Sequence, residues 1–166
     1  MNFLEAEVPN FGKVIITHTC FETISRYRQL ENMPETGGSL VGYLRSDDVW
    51  VIAKAMEPSP KNKAGRYWLQ SCLGAAQRFV DMFFKQTDGA LNYIGEWHTH
   101  PEEDPNPSPK DFKMMDDILI NGKIATGFVF GLILGDTGKL CLWHQDRSSH
   151  WVTPIKVPPL FLPASF

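Results

Sequence analysis

The stretch that most constrains this chain is GEWHTHPEEDPNPSPKD, residues 95–111. NYIGEWH before the first imidazoles reads as a strand, and it runs straight into an acidic, proline-rich loop at 101–107. Ser108 then reads as a helix N-cap, Pro109 as the first helical position and Gly122 as the stop. A strand and a helix joined by so short a loop must bring the helix start back beside the strand end. Strand side chains alternate faces, with ~3.3 Å of advance per residue. His98 and His100 therefore share one face, and Trp97 and Thr99 share the other, where Trp97 packs behind the site. Two imidazoles so spaced can converge on one small cation, and imidazole is a common ligand of Zn²⁺. Asp111, in the first helical turn, is placed to supply a third ligand. Three protein ligands leave a tetrahedral position open, as in a catalytic zinc site. Ser108-Pro-Lys-Asp111 is equally a capping box in pattern, so both readings stand at this point.

The flanking sequence sets the class of fold. KVIITH reads as a strand, and TCFETISRYRQLENM as an amphipathic helix running to Pro34, with Phe21, Ile24 and Tyr27 at helical spacing. Gly37-Gly38 marks a turn or a close backbone approach. SLVGYL and VWVIAKAM read as strands joined at Ser46-Asp47-Asp48, and EPSPKNKAGRYW as a surface loop. WLQSCLGAAQRFVDMFFKQT has helical period, with Leu69, Leu73, Ala76, Phe79, Val80 and Phe83 on one side. GFVFGLILG and KLCLWHQ read as strands around a turn at 136–138, and HWVTPIKV as a last extended segment. Strands mixed with about three helices predict an α/β fold, a mixed sheet packed against helices. We expect a single domain over 1–166, with 155–166 an extended tail.

Several functions are disfavoured. A net charge of -3 offers no basic face for nucleic acid. No apolar run approaches the roughly 20 residues of a membrane span, and MNFLEAEVPNFGK lacks the form of a signal peptide. A cytoplasmic protein is the expectation. Cys20, Cys72 and Cys141 include no CxxC pair and read as structural thiols. His18, His144 and His150 have no partner at ligand spacing. Glu102, Glu103 and Asp104 read as a solvated loop. Glu96 reads as a partner for a histidine N–H or as a surface ion pair.

Other zinc signatures fit poorly. A (β/α)₈ barrel needs about 250 residues, HxE with CxxC is absent, and so is HExxH. The pattern HTHP, six residues, then SxxD, with an upstream glutamate beside a glycine pair in ETGGSLVGYL, resembles the JAMM motif of the JAB/MPN zinc metalloprotease family. The order of elements over residues 13 to 145 is similar as well. The wording GEWHTHP is most similar to bacterial isopeptidases of antiphage operons that also encode ubiquitin-transfer-like enzymes. The resemblance implies a cytidine-deaminase-like MPN/JAB fold and one Zn²⁺ per chain on His98, His100 and Asp111. It implies Glu35 as general base and acid, and Ser108 as donor to the developing oxyanion. The implied substrate is a ubiquitin-like protein or its conjugate, cleaved after the C-terminal tail. Residues 58–67 and 101–107 are expected to line the groove that holds it. The alternative is a noncatalytic MPN-type module that keeps zinc structurally.

Overall fold

A computed structural model describes residues 3–148 and 154–157. Residues 149–153 and 158–166, with His150, Trp151 and most of the expected tail, lie outside them. In chain order the elements are β1 (Phe3–Val8), β2 (Gly12–Thr17), α1 (His18–Ser25), β3 (Gly37–Leu44) and β4 (Trp50–Ala55). There follow β5 (Lys63–Gly65), β6 (Trp68–Gln70), α2 (Leu73–Gln86), β7 (Asn92–Thr99) and α3 (Pro109–Asn121). The last are β8 (Phe128–Leu134), β9 (Leu140–Asp146) and β10 (Ile155–Val157). One mixed sheet runs in the order β1-β2-β4-β3-β7-β8-β9-β10, parallel at β2–β4 and at β7–β8. The predicted α/β class and mixed sheet are what the structure has.

The two faces of the sheet bury separate clusters. Val14, Ile16, Leu40, Ile52, Trp97, Phe130 and Leu132 pack with Cys20, Phe21 and Ile24 of α1. On the opposite face Val129, Ile133, Cys141 and Trp143 pack with Met115 and Leu119 of α3. β8, FVFGLIL, is thus covered on both sides, which is why it reads as a continuous apolar run rather than an alternation. Each fully buried aliphatic or aromatic side chain contributes about 1.5–3 kcal/mol by leaving water. Cys20 and Cys141 are buried free thiols, pushed up to about 12 and about 11 by that burial.

The structure corrects four details. The first helix ends at Ser25, eight residues before Met33, although Pro34 was expected to stop it. Gln29 explains this: it is buried and its side-chain amide donates to the carbonyls of Met33 and Arg66, which holds 26–33 in turns. β1 is a strand that the sequence reading did not assign. Alanine and glutamate favour strands weakly, and the segment is made extended by pairing with β2, Leu4 opposite Ile16 and Ala6 opposite Val14. The loop EPSPKNKAGRYW contains β5 and leads into β6, a small hairpin, so Leu69 belongs to a strand and not to the second helix. Finally, α2 lies over β3 and β7 with no fully buried residue, and Leu73 is 81% exposed. Its apolar face is only half covered because a groove separates it from α3, with Ala76, Val80 and Ile118 on its walls. Ile155–Val157, in the last extended segment, pairs with β9.

Gly37-Gly38 marks a close approach, not a turn. A Cβ on Gly37 would stand 2.2 Å from the Trp97 carbonyl oxygen and 2.9 Å from the His98 Cα. The β3–β7 register places Gly37 opposite His98, and one step outward the Thr99 N–H donates to the Thr36 carbonyl at 2.9 Å. Buried Thr99 also accepts the Thr36 N–H at 3.0 Å and donates to Gln29 at 3.3 Å. This pairing sets the residue before Thr36 beside the residue after Thr99. Among the described residues, no helix is long and apolar enough to cross a membrane.

Candidate active site

β7 ends in the middle of the sheet, where its alternation separates two environments. Trp97 turns into the α1 core and donates its indole N–H to the Met56 carbonyl at 2.9 Å. His98 and His100 turn the other way, toward the start of α3. Ser108 caps α3, and the capping box is complete: Asp111 N–H donates to Ser108 Oγ at 3.3 Å, and Ser108 N–H donates to Asp111 Oδ2 at 2.7 Å. The cap fixes the rotamer of Asp111, and so the bland and the functional readings of SPKD describe one geometry.

The three expected ligands meet. His98 Nε2 stands 3.1 Å from His100 Nε2, and Asp111 carboxylate oxygens stand 3.0 Å from His98 Nε2 and 3.3 Å from His100 Nε2. All three side chains are buried and form a group able to hold a metal ion. In a tetrahedral zinc site with bonds of about 2.0–2.1 Å, neighbouring ligand atoms lie about 3.3–3.4 Å apart. The observed separations match that spacing to within a few tenths of an ångström, and two nitrogens with one carboxylate suit the borderline character of Zn²⁺.

Burial pushes the Asp111 carboxyl up, but hydrogen bonds from His100 and His98 outweigh it and hold the group well below the usual carboxylate range. For His100, burial favours the neutral ring, yet the hydrogen bond and charge of Asp111 prevail and raise it. Glu35, buried just before β3, has Oε1 3.9 Å from His100 Nε2, and its backbone N–H is fixed to the Gly65 carbonyl at 2.8 Å. Burial raises its carboxyl above the usual value against the pull of the two histidines. A carboxylate made more basic beside a cation-binding group is suited to moving a proton.

These residues line a cavity of about 120 Å³ that Glu35, His98, Ser108 and Asp111 share with Tyr67 and Trp68 of the hairpin. Tyr67, in the loop expected to line a groove, thus faces the cavity. The other wall is not residues 101–107. That loop packs away from the cavity, with Asp136 N–H donating to the Glu102 carbonyl at 2.9 Å and Asp104 paired to Lys139 and Lys156. Lys110 and Met114 of α3 line that side instead.

Glu96 differs from both of its sequence readings. It accepts hydrogen bonds from Ser39 Oγ at 3.1 Å and Tyr93 OH at 2.9 Å rather than from a histidine, and is pushed up to about 7 by burial against those two bonds. Sequence spacing pointed to neither partner. Ser39 is its cross-strand neighbour in the β3–β7 register, information that the sequence holds only through pairing. His144 packs against Phe11 and His18 is exposed, both outside the site.

The end of a central strand and the start of α3 thus bring two histidines and an aspartate together beside a buried carboxylate, an arrangement able to hold a metal ion. The prokaryotic homologs of the JAB domain match residues 17–151, and the chain belongs to that family. It is 34% identical over 123 residues to the CD-NTase/cGAS isopeptidase of Escherichia coli, covering 74% of this chain and 76% of that one. A CD-NTase/cGAS isopeptidase of Vibrio cholerae is 35% identical over 99 residues, covering 59% and 62%. A protein of Sinorhizobium fredii named as a probable metalloprotease is 27% identical over 105 residues, covering 63% and 62%. With such relatives, the chain is a hydrolase of the JAB family.

Proposed function

We propose that the protein is a zinc-dependent isopeptidase that hydrolyses the amide bond following the C-terminal tail of a ubiquitin-like protein. The single observation that carries the reading is the convergence of His98, His100 and Asp111 at zinc-ligand spacing, with buried Glu35 3.9 Å from His100. The relatives named CD-NTase/cGAS isopeptidase lead us to propose a nucleotidyltransferase of that kind as the conjugated partner, in bacterial antiphage signalling. We read the whole chain, 1–166, as one catalytic domain.

His98, His100 and Asp111 hold the cation. Bound there, Zn²⁺ supplies Lewis-acid polarisation of the scissile carbonyl and of the attacking water. Glu35 accepts the proton of that water and delivers it to the leaving amine, a task matched to a carboxyl raised by burial. Ser108 accepts the Asp111 N–H through Oγ, which leaves its own hydroxyl proton to donate to the carbonyl oxygen as charge develops. A noncatalytic zinc module would need no buried Glu35 in the cavity wall.

Ser108→Ala separates catalysis from capping. Loss of an oxyanion donor lowers kcat by about 10²–10³, whereas loss of the cap costs about 1 kcal/mol of stability. We expect both, with KM little changed. A variant that loses stability while keeping wild-type kcat would leave Ser108 as a cap alone.

The function is tested by comparing an intact ubiquitin-like conjugate with a free peptide bearing only its last residues. The intact conjugate should have the higher kcat/KM, because the folded body adds contact area. Equal values would mean that only the tail is read. Failure to cleave either, by zinc-loaded protein, would overturn the isopeptidase reading.

A further inference from the structure

His98 and His100 each carry a buried Nδ1 with no hydrogen-bond partner among the described residues. Their Nε2 atoms turn to each other and to Asp111. A neutral imidazole that offers Nε2 to a cation keeps its proton on Nδ1. That N–H ordinarily donates to a carboxylate or carbonyl, which fixes both the tautomer and the ring.

For His100 an acceptor is close by. Glu102 Oε2 stands 4.0 Å from His100 Nδ1, on the ring edge away from Asp111. The backbone around it is pinned. His100 N–H donates to the Leu134 carbonyl at 3.0 Å, the Glu102 carbonyl accepts Asp136 N–H at 2.9 Å, and the Glu103 carbonyl accepts the Thr137 hydroxyl at 3.4 Å. Gly135 permits this packing, since a Cβ there would stand 2.6 Å from the Glu102 carbonyl oxygen. The Glu102 side chain is 53% exposed, and an approach closer by about 1 Å would bring its carboxylate to the ~2.7–2.9 Å of a charge-assisted bond. Asp104 cannot serve, being committed to Lys139 and Lys156.

We propose that Glu102 is a positioning residue whose carboxylate accepts the Nδ1–H of His100 and holds the tautomer that presents Nε2 to the cation. This rests on the reading of His98, His100 and Asp111 as zinc ligands. It also gives the loop 101–107, which does not line the cavity, a role in the site.

The test is zinc affinity, measured by competition with a chromogenic chelator on the full chain, with Glu102→Ala, Glu102→Gln and Glu103→Ala. Loss of such an outer partner weakens metal binding about 10–100-fold, which is the expectation for Glu102→Ala. Glu102→Gln keeps an acceptor oxygen and should recover most of that loss. Glu103→Ala removes the same charge from the same loop and should bind zinc as wild type does. In ¹⁵N-histidine protein loaded with zinc, the His100 Nδ1–H resonance should persist in Glu103→Ala and be shifted or lost to exchange in Glu102→Ala. Wild-type affinity in Glu102→Ala, with zinc bound by the wild-type chain, would overturn this assignment alone. Equal weakening by Glu103→Ala would also overturn it, since loop charge would then suffice. A wild-type chain that takes up no zinc would overturn both this and the reading beneath it.

Discussion

Glu35→Gln should lower kcat by about 10²–10⁴, the range that a positioned general acid–base group contributes, while zinc content stays at the wild-type level. The substitution is close to isosteric, so the buried site remains packed and the backbone bond from Glu35 N–H to the Gly65 carbonyl is untouched. What it removes is the basic oxygen near His100. The carboxyl is raised by burial, a cost to folding that a carboxylate on the surface would not carry. Steady-state kinetics on a conjugate, with metal measured on the same sample, reads the two effects separately. A variant retaining a tenth of the wild-type kcat would remove Glu35 from proton transfer. One that lost zinc in parallel would make it a ligand.

His98→Ala should abolish turnover by a different route, through loss of the metal. Two ligands remain, and the Asp111 carboxylate loses one of the two imidazoles that hold it ionised. Zinc present at about a thousand times its dissociation constant stabilises the folded chain by about 4 kcal/mol. For a chain of this size each kcal/mol moves the thermal midpoint by about 2–4 °C. The zinc-dependent rise in midpoint, about 8–16 °C for the wild type by the same arithmetic, should vanish in His98→Ala. The zinc-free midpoints of the two proteins should lie much closer together. If zinc raised both midpoints equally, the ion would be bound elsewhere.

Locality explains how much of this was legible in the sequence. The meeting of His98, His100 and Asp111 follows from strand alternation and from a helix cap, both rules that act over a few residues. Glu35 is a different matter. Its place beside His100 depends on the β3–β7 register, in which Gly37 faces His98, and no local pattern encodes that pairing. The resemblance to the JAMM motif supplied it. The first helix was read too long because Tyr27 continues the apolar spacing, while the buried Gln29 that ends it finds its acceptors in Met33 and distant Arg66. Leu69 fits a helical face by spacing, yet hairpin pairing with Ala64 makes it a strand residue. The loop 101–107 was expected to line the groove from chain proximity alone, and its anchorage to the β8–β9 turn turns it away.

One zinc ion on His98, His100 and Asp111 is tested most directly by elemental analysis of the protein purified without added metal. One equivalent of zinc per chain in the wild type, removed by His98→Ala and retained by Glu35→Gln, is the result this account requires. Less than about half an equivalent, with no gain when zinc is supplied, would contradict a site in which metal binding is coupled to the folded arrangement of its ligands.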